Sequence, residues 1–428
     1  MHEYIRCTTL SVLGSLGVSC YILADTFFVS KGLGTNGLAA LNLAIPVYNF
    51  IHGTGLMLGI GGATKFSIYR SQKQKEQVNQ LYTNTLCLAV LFSTVFVLFG
   101  LFFSRHLAQI LGGDDNILEM TDTYLKWLLI FSPAFILNDI FLCFVRNDES
   151  PQLSMMAMLI GSFSNIILDY IFIFPLRMGI FGAVFATGLS PVISMLMMLP
   201  HWLGKRNTFH VTRTKIRACA AMQSLSLGFP SLIAQLSSGI VMITFNAIIL
   251  DLKGSTGIAA YGVIANISLV TVALYTGIAQ GVQPLVSSFY GKGDSRQVRT
   301  VSKHAIATVL AVSCVAYLLI FIYSRQITAV FNSEKNMELY EIAVPGLRLY
   351  FLSSAFAGYN IILATLLTYI ENALPSHILS LLRGLILIIP LTFLLSSLWG
   401  MTGVWLAYPI TELLTALLGL IIVHPYAR

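Results

Sequence analysis

The chain has 428 residues, 56% of them hydrophobic and only 10% charged, with a mean hydropathy of +0.79. A soluble domain carries about 25% charged residues, so there is too little charge here to cover a water-exposed globule, and lipid is the expected solvent. The net charge of +7 does not indicate nucleic acid, because the basic residues sit in short loops and are not massed on a soluble patch.

Apolar stretches long enough to cross a hydrocarbon core of about 30 Å fall near residues 7–29, 38–64, 83–103, 124–145, 152–174 and 179–203, and again near 223–250, 257–288, 304–323, 342–367, 376–398 and 402–423. They predict an all-α membrane protein of twelve transmembrane helices. The first is read as a retained helix and not a cleaved signal, since it contains Asp25 and lacks a small-residue cleavage site. Glycines inside these runs, such as Gly53, Gly55, Gly59, Gly61 and Gly62, suit membrane helices, where small residues let neighbours approach. The six cysteines, Cys219 among them, are scattered without C-x-x-C or metal spacing, which argues against disulfides and zinc.

With the N-terminus inside, the inner loops hold fifteen Lys and Arg, including Arg70, Arg146, Lys215, Arg217 and Arg428. The outer loops hold six: Lys31, Arg105, Arg177, Lys253, Arg325 and Lys335. This positive-inside bias predicts that both termini are cytoplasmic. The longest inner loop, 204–221, has five basic residues and no acid. It reads as a cytoplasmic linker between a bundle at 1–203 and a second at 222–428.

The two halves resemble each other. A shift of 220 residues places Gly37, Ala39 and Ala40 on Gly257, Ala259 and Ala260, and Gly61 and Ser67 on Gly281 and Ser287. A shift of 221 places Gly179, Gly182 and Ala186 on Gly400, Gly403 and Ala407. Six spans per half is an even number, so both halves enter from the same side. The repeat is therefore parallel, about an axis along the membrane normal, a symmetry that secondary transporters use to rock one bundle against another.

Charge within a bilayer is costly, about 2.5–3.5 kcal/mol per group on insertion scales, and so defaults to a functional hypothesis. Asp25 in span one and Asp169 in span five stand out, each roughly 6–8 Å below the outer end of its helix. Asn165 lies one turn from Asp169 on the same helical face, and Thr187 in span six is roughly 12 Å deep, near the same level. These four oxygen-bearing side chains are the candidate site for a proton or Na⁺. Two nearby carboxylates resist simultaneous ionisation and burial adds to that cost, so one cation would relieve both. The other reading of these residues is structural, as hydrogen-bonding partners of neighbouring helices. Tyr124, at the outer start of span four, is an accessory candidate or an interfacial anchor.

The second half differs. Phe245 stands where the repeat places Asp25, and Arg383 and Glu412 are its main charges in mid-helix, read as a structural ion pair. Glu371 and Arg348 fall near span ends and are expected to face water. His52, Gln280, Gln283, Tyr359 and Asn360 are candidates for lining a substrate cleft; interhelical hydrogen bonding is the competing reading for each.

Several stretches together resemble the multidrug and toxic compound extrusion (MATE) family. They are DTFFVSKGLGTNGLAAL from Asp25 with the following Pro46, NIILDYIFIF from Asn165, MGIFGAVFAT from Met178, IAAYG from Ile258, GVQPLVSSFYGKG from Gly281, ALPSHILSLLRG from Ala373 and GVWLAYPITELL from Gly403. The likeness covers nearly the whole chain and is nearer the DinF-like and MepA-like branches than the NorM-like branch. It implies two pseudo-symmetric six-helix bundles around a V-shaped cleft in a bacterial inner membrane. It also implies no enzymatic activity and no cofactor, and a monomer that exchanges organic cations for H⁺ or Na⁺ by alternating access. The family's coupling-ion residues match Asp25, Asn165, Asp169 and Thr187. The NorM-like branch has an acid in span seven that this chain lacks, which puts a second cation site there in doubt. The rival function is a flippase for lipid-linked precursors or polysaccharide, which needs cationic residues in its cleft, where Arg383 and Arg348 are the candidates. A membrane-embedded enzyme would need a motif such as H-E-x-x-H, which is not in the sequence.

Overall fold

The computed structural model describes residues 2–113, 116–213, 218–332 and 336–423, and every regular element among them is helical. Lys215, Arg217, Lys335 and Arg428, counted above as loop charges, lie outside the described residues, as does the side chain of Cys219.

Three helices that look continuous along the chain are hairpins of two spans hinged on one glycine. His2–Ser71 breaks at Gly34 (φ 69°). The hydroxyls of Tyr21 and Tyr48 lie 2.8 Å apart although 27 residues separate them, a stretch that would measure about 40 Å as straight helix. Ala218–Gly291 reverses in the same way at Gly254 (φ 62°), which stacks Phe245 on Tyr261 with ring centroids 5.4 Å apart. Ile388–Val423 turns at Gly400 (φ 56°), bringing Glu412 to 2.7 Å from Arg383. All three glycines are in the left-handed region, where a Cβ would be strained, so a turn this tight depends on glycine.

Leu118–Ile130 and Ser132–Asn147 form one span bent by 46°. The bend precedes Pro133, which lacks an N–H and disfavours helix at the residue before it. Among the described residues the spans are then twelve: 2–33, 35–71, Lys75–Ile110, 118–147, Pro151–Ile173, Gly179–Leu203, 218–253, 255–291, Ser295–Phe331, 337–369, 373–399 and 401–423. Many helices outrun the predicted apolar stretches; the second continues from 64 to Ser71. Hydropathy marks only the part within hydrocarbon, while the backbone keeps its internal hydrogen bonds into the headgroup zone.

The repeat extends to the turns. Left-handed residues recur in matched pairs: Gly34 with Gly254, Lys73 with Gly293, Glu149 with Glu371, and Gly179 with Gly400. The offsets are 220, 220, 222 and 221 residues, so the halves share hairpin geometry as well as residues.

Where described residues join the halves, the contacts gather toward the face of the 72–74 and 292–294 turns. There Gly228 of span seven lies against the backbone of Met57 in span two, and Gly61 against that of Ser224. Gly277 and Gly281 of span eight receive Val12 and Thr8 of span one. Polar contacts reinforce the seam. Arg146 donates to Gln280 Oε1 at 2.7 Å, and Gln283 donates to Ile60 O and Thr64 Oγ1, both at 3.1 Å. Lys65 pairs with Glu371 at 2.5 Å. Glu371, expected to face water, keeps a partly exposed side chain and is also half of an ion pair across the seam. Arg348 too is engaged, donating from Nε to Ser324 Oγ at 3.1 Å and lying over the Phe321 ring.

The segment after span six, expected as a plain linker, is a strap over its described length. Phe209 is fully buried among Phe66, Tyr82, Phe144 and Trp202. The amides of His210 and Thr212 donate to Asn79 Oδ1 and Thr83 Oγ1, at 2.8 and 3.0 Å. Asp148, in the turn after span four, fastens it: Oδ1 accepts from Thr208 Oγ1 at 2.5 Å, and Oδ2 from the Thr208 amide at 2.9 Å. His201 Nε2 lies 3.0 Å from Oδ2, and Arg70 Nε 3.5 Å from Oδ1.

Burial works against the Asp148 charge, but the hydrogen bonds from His201 and Thr208, with the Arg70 charge nearby, outweigh it and hold the carboxyl below the usual carboxylate range. A depressed folded-state pKa contributes stability that is present above the unfolded value and lost as pH falls through the folded one. Thermal stability is therefore expected to lose this contribution below about pH 4. Asp148→Asn is expected to cost about 1–3 kcal/mol near neutrality and to remove that part of the acid limb, as read from unfolding temperatures across pH in detergent.

Candidate functional site

Small residues on span one decide what Asp25 meets. Gly14 and Gly17 lie under Met158 and Leu159 of span five, and Gly32 lies under Ile173. With no side chain at those positions the two helices approach closely. Ser190 of span six donates to the Gly161 carbonyl at 2.7 Å, drawing that helix onto the other side of span five. The outcome is a packed trio of spans one, five and six.

Within it Asp169 and Asn165 have no exposed surface, Thr187 is 5% exposed and Asp25 8%. The Asp25 and Asp169 carboxyl groups come within hydrogen-bonding reach of each other. Yet Asp25 Oδ1, both Asp169 oxygens and both amide atoms of Asn165 are buried without a hydrogen-bond partner. These observations agree if a proton is missing from the pair: two carboxylates only accept, so one must be protonated, or a cation must sit between them, before the contact is favourable. Buried polar groups are otherwise almost always satisfied. Thr187 donates within its own helix to the Ala183 carbonyl at 3.0 Å, which leaves its lone pairs to accept. Tyr124 is 3% exposed and its hydroxyl reaches Thr187; it belongs to this cluster and is not an anchor at the membrane surface. Asp25, Asn165, Asp169 and Thr187 together supply the oxygens that could hold Na⁺.

The other candidates are placed elsewhere. Gln280 and Gln283 belong to the seam between the halves. Tyr359 is half-buried against the cluster of Leu363, Ala364, Leu367 and Leu379. Asn360 donates to Glu412 twice, to the backbone oxygen at 2.8 Å and to Oε2 at 2.7 Å. Arg383 donates to Glu412 Oε1 at 3.2 Å from Nε and 2.7 Å from Nη2, so the ion pair expected in the second half is formed and both Glu412 oxygens are used. The helix around Arg383 widens to a π turn over Leu382–Ile386.

Removing one partner of a buried pair leaves the other charge uncompensated, at about 3–5 kcal/mol. Glu412→Ala is accordingly expected to lower the unfolding temperature sharply. Arg383→Met combined with Glu412→Leu should recover most of the loss, because an apolar pair of similar volume avoids the desolvation cost.

His52 is the candidate whose surroundings the sequence did not disclose. Its Nδ1 lies 2.8 Å from Oδ2 of Asp139 in span four, and its ring stacks on Tyr48 at 5.8 Å. Asp139 was missed, although an acid inside the predicted 124–145 span satisfies the same rule that singles out Asp25.

A family profile described as MatE matches residues 11–171 and again 230–394. Among curated proteins, the multidrug export protein MepA of Staphylococcus saprophyticus is 24% identical over 415 residues, covering 96% of this chain and 91% of that protein. MepA of Staphylococcus aureus is 25% identical over the same length and coverage. Among solved structures, a MATE protein in complex with MaL6 superposes with a TM-score of 0.93 at 23% identity, covering 99% of this chain and 95% of the other. An outward-facing multidrug resistance MATE family transporter of the MOP superfamily gives 0.92 at 22%, with the same coverage.

Proposed function

Since the chain belongs to the MATE family of membrane transporters, we propose that it exports organic cations, including drugs, in exchange for H⁺ or Na⁺ bound at Asp25, Asn165, Asp169 and Thr187. One observation carries the reading: two buried carboxyl groups face each other with oxygens that nothing in the protein satisfies. A protein keeps such an arrangement in lipid where a mobile cation completes it.

By the positive-inside bias, the sealed face of the 72–74 and 292–294 turns is cytoplasmic, and the site lies toward the outer end of the first half. In an outward-open state the coupling cation enters from outside and takes up one of the two negative charges of the Asp25–Asp169 pair. Filling the site lowers its charge from two negatives to one and repacks span one against spans five and six, favouring release of the drug outside and return to the inward-facing form. Exchange requires only that ion and drug prefer different conformations. The relatives named as multidrug export proteins support the direction of transport. The flippase reading is less well supported, because the Arg383 charge is already paired with Glu412 and Arg348 would have to hold a pyrophosphate alone.

Purified protein in vesicles, with proton and sodium gradients imposed separately, tests the reading. Ethidium should move against its gradient when one of the two is applied and stay at equilibrium when neither is. Movement indifferent to both gradients would overturn it.

A further inference from the structure

Beside the Asp25 cluster, the first half contains a second acidic centre. Asp139 of span four lies against span two where Gly55 and Gly59 leave room: a Cβ on Gly55 would fall on the Asp139 carboxylate, and one on Gly59 would meet the Asp139 carbonyl and Cys143 Sγ. The carboxylate only accepts hydrogen bonds, so the proton in the 2.8 Å contact belongs to His52 Nδ1. That tautomer leaves Nε2 able to take a second proton. The Asp139 side chain is 8% exposed, whereas the His52 side chain is 25% exposed. His52 adjoins Gly53, which lies against Leu232 and Gln235 of span seven, so the centre is within one residue of the junction of the halves.

The walls are aromatic. His52 stacks nearly parallel on Tyr48, whose ring meets Phe135 edge-on with centroids 5.6 Å apart. The Tyr48 hydroxyl is hydrogen-bonded to that of Tyr21. Tyr21 and Tyr48 both lie within the electrostatic reach of Asp25 and of Asp139. Among the described residues, the remaining ionisable groups facing the centre are Cys143 and Arg146 of span four; Arg146 keeps its positive charge about two turns from Asp139 and donates to Gln280 at the seam.

We propose that Asp139, with Tyr48 and His52, binds the organic cation to be exported, and that protonation of His52 expels it. With His52 neutral the His52–Asp139 pair has a net charge of −1, set among ring faces that attract aromatic and quaternary cations. When the Nε2 nitrogen takes a proton from the outer solution, the resulting imidazolium cancels the Asp139 charge, and the Coulombic hold on the bound cation is lost. The proton that enters here and the cation that leaves balance in charge. Ion coupling at Asp25 and drug release at Asp139 are thus two separate events in one bundle. The proposal rests on the export reading above and assigns its substrate-binding residues.

The test measures binding of ethidium and of tetraphenylphosphonium to full-length protein in lipid nanodiscs, without any gradient, from about pH 8 to about pH 5. Wild-type affinity should weaken about tenfold across that range, and Asp139→Asn should weaken it about tenfold or more at the upper end. His52→Asn, which keeps an amide N–H near the place of Nδ1, should flatten the pH dependence. The flattening should persist in an Asp25→Asn background, which removes the other acid that titrates nearby. Asp139→Asn binding like the wild type, or an unchanged pH profile in His52→Asn, would overturn the assignment while leaving gradient-driven export intact. A wild type that binds neither cation would overturn both readings together. Should Asp139→Asn fold poorly, the His52→Asn profile decides alone, since a merely structural histidine would not move it.

Discussion

Asp25→Asn is expected to reduce gradient-driven ethidium efflux to the background of cells lacking the protein. The wild-type pair has two carboxyl groups within reach of each other, and one cation makes their contact favourable. Asparagine fills nearly the same volume but gives the pair a permanent donor and removes one charge. Asp169 then gains a hydrogen bond whether or not a coupling ion is bound, so ion binding no longer distinguishes the two conformations. A ligand without differential affinity shifts nothing, however tightly it binds. The loss should appear as a fall in initial efflux rate of about 10²-fold or more, the range for removing an essential proton carrier. Asp169→Asn should behave alike, and the double variant no worse than either, because residues acting as one unit are not additive. Stability separates function from folding: relieving an unsatisfied buried carboxylate should leave the unfolding temperature equal or higher. Wild-type efflux by either variant would refute the coupling role, and a collapse in stability would return both residues to structure.

Gly228→Ala is expected to abolish turnover by a different route, holding the halves apart at the face that is closed in this structure. A Cβ at Gly228 would overlap the carbonyl oxygen of Met57, and one at Gly61 the carbonyl oxygen of Ser224. Backbone oxygens on packed helices cannot swing aside as a side-chain end does. Overpacking of this kind costs about 1–3 kcal/mol, which biases a two-state equilibrium by about 10–100-fold. The cost falls only on the state in which spans two and seven touch, so the protein should insert and fold while populating the other state. Spin labels at positions 75 and 295, near the turns on that face, should report a longer distance in the variant. Transport at the wild-type rate with an unchanged distance would show that the seam is not part of the cycle.

The sequence was a good guide wherever a property follows from position along the chain. Apolar runs located the spans, and a residue's distance from the end of its run gave its depth. That was enough to place Asp25, Asn165, Asp169 and Thr187 at one level of the first half. The matched glycines at Gly37 and Gly257 and at Gly179 and Gly400 already showed the repeat. Arg383 and Glu412 were legible as a pair for the same reason, as opposite charges both deep in apolar segments.

What remained hidden depends on how each helix is rotated and what it touches. Hydropathy does not say that Gly55 admits Asp139, so the His52 contact could not be read from either residue. Nor did the basic loop after span six announce that Phe209 would enter an aromatic pocket with Asp148 holding the strand beside it. Gln280, Gln283 and Asn360, read as candidates for a pathway, became seam and ion-pair partners once their neighbours were known. The chain by itself determined that this is a twofold-repeated membrane bundle with acids at one depth, because lipid enforces those features one residue at a time. Only packing decided which acids meet, since that depends on the azimuth of helices far apart in sequence and on the glycines that let them touch.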